Sequence, residues 1–236
     1  MNTKSVLEVV DFGEEILKMD GISAESVKDH LTLYQGYIKK YNEIMQKLTE
    51  LKDEDYAAGN QIYSTIRALK VDLTFAIGGV KNHEIYFAHL GGKGGKPEGA
   101  LLEQIENDFG SFENWERDLK ASGMGARGWV WLAWDNDYGY LFNYIGDAQN
   151  TFPVWNATPI LALDVYEHAY FKDYGTARAK YIEAFLKNLD WDVVSANFES
   201  MLGEGCCDCC DEESCCGEGE CCGECGCKNE LEEIKK

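Results

Sequence analysis

Asp164-Val165-Tyr166-Glu167-His168-Ala169-Tyr170-Phe171 sets a carboxylate four residues before an imidazole on a mostly apolar ribbon, a pattern by which proteins hold a buried metal. Immediately upstream, Pro159-Ile160-Leu161-Ala162-Leu163 is fully apolar and reads as a strand ending at Asp164. Downstream, residues 176–201 return to helical periodicity. The chain holds only four histidines. Two of the others, His30 and His83, lie on long amphipathic segments able to deliver them to the same interior point.

The first of those segments starts at Ser23, an N-cap with Glu25 in the first turn. Val27, Leu31, Tyr34, Ile38, Tyr41, Met45 and Leu48 then alternate spacings of four and three, so one helix face is apolar and His30 flanks it. A charged stretch, Lys52-Asp53-Glu54-Asp55, separates it from a second helix. There Ile62, Ile66, Leu69, Leu73, Ala76, Val80, His83, Phe87 and Leu90 form the stripe, with His83 inside it. Two such helices are expected to pack as an antiparallel hairpin. Gly78-Gly79 stands one turn before His83; each glycine weakens a helix by about 1 kcal/mol relative to alanine, which predicts a close backbone approach or a kink.

Gly91-Gly92-Lys93-Gly94-Gly95-Lys96-Pro97 reads as a linker and hinge. It follows a helix rather than a strand and lacks the Lys-Ser/Thr ending of a phosphate loop. Residues 98–124 read as helix. The aromatic runs 128–134 and 138–144, joined at Asp135-Asn136-Asp137, read as a strand hairpin. The expected class is therefore α+β: a helical-hairpin domain over 1–92, an α/β domain over 97–202 with a small three-stranded antiparallel sheet, and a tail over 203–236.

Composition narrows the function. A 236-residue chain that is 45% hydrophobic can bury a sizeable core. Its formal charge of −20 argues against nucleic acid, which demands clustered Lys and Arg, and against anionic membranes. No run of eighteen apolar residues predicts a membrane span, and the N-terminal residues lack a secretory pattern, so the expected location is the cytoplasm. All ten cysteines fall between Cys206 and Cys227 and none in the body, which fits a reducing compartment.

Three imidazoles and one carboxylate, each on or beside an apolar surface where an unpaired charge costs several kcal/mol, are more simply read as ligands of one ion than as four separate burials. Nitrogen plus carboxylate without thiolate suits Mn, Fe or Zn. His89, six residues after His83 and on a different face, reads as structural or solvated.

These residues carry a resemblance. DVYEHAY at 164–170, the downstream Tyr174, Arg178 and Tyr181, Leu189-Asp190-Trp191-Asp192, GARGWVWL at 125–132, and Asn82-His83 followed by Tyr86, Phe87 and Leu90 together resemble the iron/manganese superoxide dismutase family over roughly residues 20–200. The resemblance implies a mononuclear metal on His30, His83, Asp164 and His168, and disproportionation of superoxide to oxygen and hydrogen peroxide. It also implies a solvent ligand whose hydrogen bonds tune the reduction potential. In the family a glutamine reaches that solvent from the helical hairpin in iron enzymes and from the sheet in manganese enzymes. Here Gly79 stands at the first position and Gln149 at the second, which favours manganese and leaves iron open. Glu167 matches the residue that reaches the histidine of a partner subunit, so a homodimer or homotetramer is expected. Trp129 and Trp131 match aromatic positions of the family and serve equally as plain core.

The chain also departs from that pattern. The family's second histidine, four residues after the first, is absent, and a gate tyrosine is offered by either Tyr37 or Tyr34, with Tyr37 favoured by its Gly36-Tyr37-Ile38 context. Phe171 replaces the tyrosine that pairs with the missing histidine, so both ends of one hydrogen bond are gone together. Tyr166 stands in place of a tryptophan. Arg178 matches the family's substrate-steering arginine, with Lys39 and Lys40 as further cations against an acidic body.

The tail follows other rules. Cys206, Cys207, Cys209, Cys210, Cys215, Cys216, Cys221, Cys222, Cys225 and Cys227 sit among Gly, Glu and Asp with almost nothing apolar. Their C-x-x-C spacings suit thiolate sites for Zn or Cu(I). Two rivals to the dismutase reading follow: a metal-sequestering protein acting through this tail with the body as scaffold, and a catalytically silent relative.

Overall fold

The computed structural model describes residues 6–151 and 153–203. Helix α1 (Ala24–Thr49) begins where the Ser23 hydroxyl accepts the Ser26 N–H. Helix α3 (Thr65–Ala88) begins likewise, the Ser64 hydroxyl accepting from Arg67 N. The two lie antiparallel: Ile44 and Leu48 meet Ala76, while His30 meets His83 and Phe87. Their connection is longer than the charged stretch suggests. It includes a short helix α2 (Asp53–Ala57) and an Asn60 turn, and Ile62, expected on the helix, is exposed ahead of the cap.

Residues 98–124 divide into α4 (Gly99–Phe109) and α5 (Phe112–Gly125), because Gly110 takes a left-handed φ of 81° and Ser111 caps the second helix. Strands β1 (Trp129–Asp135), β2 (Tyr140–Gly146) and β3 (Ala157–Asp164) form one antiparallel sheet in the order β2-β1-β3. The hairpin turn is held by Asp135 Oδ1, which accepts from the backbone N–H of Asp137 and Tyr138. β1 is central and buried along nearly its whole length, which is why it is Trp-rich and almost continuously apolar rather than alternating. Trp129 lies directly across from Asp164 in the ladder. Helices α6 (Glu167–Tyr174), α7 (Arg178–Lys187) and α8 (Trp191–Gly203) complete the described fold.

Segment 91–97, read as a hinge, is laced down. Gly92 N donates to Asn188 O and Gly94 N to Leu189 O, Leu90 bridges Leu189, and the Trp191 indole donates to Gly95 O. The glycines answer to close contact: a Cβ on Gly92 would lie 2.3 Å from Leu189 O. One continuous apolar core runs from α1 and α3 through the sheet to α7 and α8. No described helix is long and apolar enough to cross a membrane.

Candidate metal centre

Four elements deliver one polar side chain each to a point inside this core. His30 comes from α1, His83 from α3, Asp164 from the last position of β3, and His168 from the first turn of α6. Asp164 Oδ2 lies 3.1 Å from His30 Nε2, 3.0 Å from His168 Nε2 and 3.6 Å from His83 Nε2. The four ligand atoms all fall within 4.8 Å of one another. His83 and Asp164 are wholly buried, His30 nearly so, and His168 keeps a partly open edge.

The tautomers follow from the outer contacts. His83 Nδ1 sits 2.6 Å from Gly79 O, the geometry of an N–H donating to a carbonyl, so its Nε2 presents a lone pair. Among the described residues that Nε2 has no hydrogen-bond partner, and it faces a carboxylate oxygen. Two electron-rich atoms turned toward each other in a dry interior suit a cation between them, and the N₃O donor set suits Mn, Fe or Zn. Asp164 is fixed in turn: Oδ1 accepts from Tyr166 N at 2.9 Å, and its main-chain oxygen accepts from the Tyr181 hydroxyl at 2.7 Å.

The proton affinities describe the same need. Burial, reinforced by the neighbouring His30, pushes the His83 imidazole down to about 3, and burial also holds His30 below its ordinary value despite Asp164. Burial works to raise Asp164, but the charges and hydrogen bonds of His168 and His30 together hold it well below the usual carboxylate range. Burial likewise works against His168⁺, and Asp164 outweighs it, so His168 is raised. The cluster thus favours positive charge next to Asp164 and excludes it from the two buried rings.

Around the cluster lies a polar network that the Gly-Gly pair makes possible. Gln149, buried in the loop after β2, accepts from the Trp129 indole at 2.9 Å and donates to the Tyr37 hydroxyl at 3.3 Å. Asn82 donates to the Gln149 main-chain oxygen at 3.2 Å. A Cβ on Gly78 would fall 2.1 Å from Gln149 O, and one on Gly79 would fall 2.7 Å from the Tyr37 ring. The pair therefore marks close approach, with α3 continuous through it.

The two tyrosines separate by partner. The Tyr37 ring is 5.4 Å from His83 and its hydroxyl joins Gln149. Tyr34 is fully buried, donates to Glu84 at 2.9 Å and accepts from Val10 N, and burial lifts it to about 12. Arg178 is half-buried, stacked on Tyr170 and bonded to its hydroxyl, and it donates to Ala126 O at 2.7 Å. Glu167 and Phe171 lie exposed on α6, while Lys39 is exposed on α1 and Lys40 pairs with Glu43. Tyr166 stacks on His168. His89, expected to be structural or solvated, is wholly buried, and its Nε2 accepts from Ala162 N at 3.0 Å. In the sequence Asn82 counted only as part of the resemblance, His89 only as structural or solvated, and Glu84 not at all. The buried stripe of α3 was the available signal for Asn82, which adjoins His83 on it. The ten tail cysteines lie outside the described residues.

The family model described as iron/manganese superoxide dismutases, C-terminal domain, matches residues 97–197. A curated relative named as an iron superoxide dismutase, from Aquifex pyrophilus, is 43% identical over 187 residues, covering 78% of this chain and 87% of its own length. One named as a manganese superoxide dismutase, from Haloferax volcanii, is 36% identical over 171 residues, covering 72% and 83%. A third, named as an iron enzyme and from Cupriavidus metallidurans, is 37% identical over 196 residues, covering 81% and 95%.

Proposed function

The chain belongs to the iron/manganese superoxide dismutase family, and from that premise we propose that it converts superoxide to oxygen and hydrogen peroxide with one manganese or iron ion on His30, His83, Asp164 and His168. The convergence of those four donor atoms, with His83 Nε2 lacking any other partner, carries the reading. When bound by these four residues, a manganese or iron ion would supply one-electron redox chemistry between its trivalent and divalent states.

The chain's own residues supply the rest. Gly79 O fixes the His83 tautomer, and Tyr166 N and the Tyr181 hydroxyl fix Asp164, so the donors are pre-aimed. The Trp129 indole N–H orients the Gln149 amide, which points its own N–H at the Tyr37 hydroxyl. The Tyr37 phenol, raised further above its ordinary value by burial, is protonated at neutral pH, so its hydroxyl can donate while accepting from Gln149. We assign Tyr37 the gate, because Tyr34 is committed to Glu84 and Val10. Arg178 is the candidate cation for attracting an anionic substrate to an acidic body.

Manganese is the metal we favour. Gln149 arrives from the sheet side, and the Tyr37 ring fills the space a side chain at position 79 would need. Relatives bearing either metal name keep iron as the competing outcome. Glu167, exposed beside His168, supports a homodimer in which it reaches the partner's site. We retain the division into 1–92 and 97–202, a cytoplasmic location, and Zn or Cu(I) binding by the tail thiols as further parts of the reading. Metal analysis paired with a superoxide assay tests the function: about one Mn or Fe per chain with activity supports it, and a metal-loaded but inactive protein overturns it. Metal content of the intact chain against residues 1–203 tests the tail, where equal stoichiometry removes the second site.

A further inference from the structure

Among the described residues β3 is an edge strand: the sheet order β2-β1-β3 leaves one side of it without a strand neighbour. An uncovered edge carries free N–H and C=O groups, and from Ile160 to Asp164 this one is buried, where such groups need partners. Side chains from helices provide three. Asn197 of α8 donates to Ile160 O at 3.2 Å, the Tyr181 hydroxyl of α7 donates to Asp164 O at 2.7 Å, and between them His89 Nε2 accepts from Ala162 N at 3.0 Å. The His89 bond is the one that ties β3 to α3, the helix that carries His83.

His89 is itself held from several sides. It closes the C-terminal end of α3, and its main-chain oxygen accepts from Asp190 N at 2.8 Å. Phe185 and Tyr86 pack against its ring at 5.8 and 6.4 Å between centroids. The side chain is wholly buried, and its Nδ1 has no hydrogen-bond partner among the described residues beyond its own main chain. Accepting at Nε2 requires an uncharged ring. Burial meets that condition by pushing the imidazole down to about 4.

We infer that His89 is a positioning residue for the metal centre: its imidazole clamps β3 to α3 two residues before Asp164, and so sets the gap between Asp164 Oδ2 and His83 Nε2. Packing alone would be served equally well by leucine at this place, whereas the clamp needs an acceptor at the reach of Nε2. The inference rests on the metal reading above and makes a separate claim about what fixes its geometry.

The test compares the intact, manganese-loaded protein with His89→Leu, which keeps bulk and deletes the acceptor, and His89→Gln, whose amide oxygen reaches about as far as the imidazole nitrogen. Asn197→Ala, which cuts the bond to the same strand edge at Ile160, serves as the control. The rate of manganese loss to a chelator and the visible spectrum of the oxidised protein are read beside the melting temperature. The leucine variant is expected to lose manganese about tenfold faster or more, the scale of losing an outer support of a metal ligand, with a shifted spectrum. The glutamine variant should return both readings toward wild type, and the Asn197 control should lower the melting temperature with metal retention unchanged. Wild-type metal retention and spectrum in the leucine variant, whatever its melting temperature, overturn the inference. Should that variant not fold, His89→Asn, with its shorter reach, replaces it, and equal retention in the asparagine and glutamine variants overturns the inference. A wild-type chain that binds neither Mn nor Fe overturns the metal reading instead.

Discussion

At its outer end the α1–α3 hairpin buries Ile44, Leu48 and Ala76, with Ile66, Leu69 and Leu73 packed around them. At its inner end the same two helices bury His30 and His83. The outer end follows the rule that helix faces hide apolar surface, and its stabilisation comes from area removed from water. The inner end breaks that rule with two imidazoles that burial keeps uncharged, and it is stable only because Gly79 O, Asp164 and Tyr181 satisfy what can be satisfied. What remains unsatisfied there among the described residues, His83 Nε2, is the proposed ligand atom. Substitutions at the two ends should therefore separate activity from stability.

Asp164→Asn should have the largest effect. Removing the one anionic ligand is expected to lower manganese or iron affinity by more than the ~100-fold typical of losing an outer support and to abolish activity. The metal-free protein should lose stability too, because the interactions with His168 and His30 that keep Asp164 ionised go with the carboxylate. Unchanged metal affinity in this variant would remove Asp164 from the ligand set.

One exchange made in two places sharpens the contrast. Gly79→Ala drives a Cβ into the Tyr37 ring, so activity should fall about tenfold, and overpacking of this kind costs roughly 1–3 kcal/mol. Gly36→Ala, exposed on α1 with open space around its Cβ, should instead gain about 0.5–1 kcal/mol with activity intact. Denaturant titration with a superoxide assay reads both. At the outer end, Ile44→Ala should cost about 2 kcal/mol, the lower range for such truncations because this small cluster can relax, and leave the rate per bound metal unchanged.

Weaker effects follow from charge. Arg178→Gln should lower the second-order rate at low salt, with the gap closing as ionic strength rises. A salt-independent loss would assign Arg178 to holding Tyr170 and Ala126. The metal-free protein should also lose stability as pH falls. The unfolded His89 ring takes a proton below its ordinary 6.5, while the buried ring resists until about 4, so this contribution is complete above 6.5, declines between 6.5 and 4 and levels off below. His89→Gln should show a shallower decline over that window.

The helices and strands were legible because their apolar spacing is regular: the stripe from Val27 to Leu48 lies on α1, and the runs 128–134 and 138–144 mark β1 and β2, which begin one and two residues later. Boundaries were legible where a cap was recognised, as at Ser23, and missed where Ser64 and Ser111 were not. The four proposed ligands could be named because histidine is rare here and each lies on or beside an apolar surface. What could not be read were contacts between distant segments. Gly78 and Gly79 announce a close approach, but only the fold shows that Gln149 and Tyr37 make it. Likewise 91–97 has the composition of a hinge, yet the turn between α7 and α8 supplies partners for its N–H groups. The role of His89 depends on β3 being an edge strand, a property of sheet order that lies outside local sequence.

X-ray absorption at the manganese and iron edges of the intact, active, metal-loaded protein tests the central claim most directly, because it reads the atoms around the catalytic ion while the tail thiols compete for it. The account predicts a shell of nitrogen and oxygen with the scattering signature of imidazole rings and no sulfur. A shell dominated by sulfur would contradict it, moving the working metal from the His/Asp cluster to the cysteines.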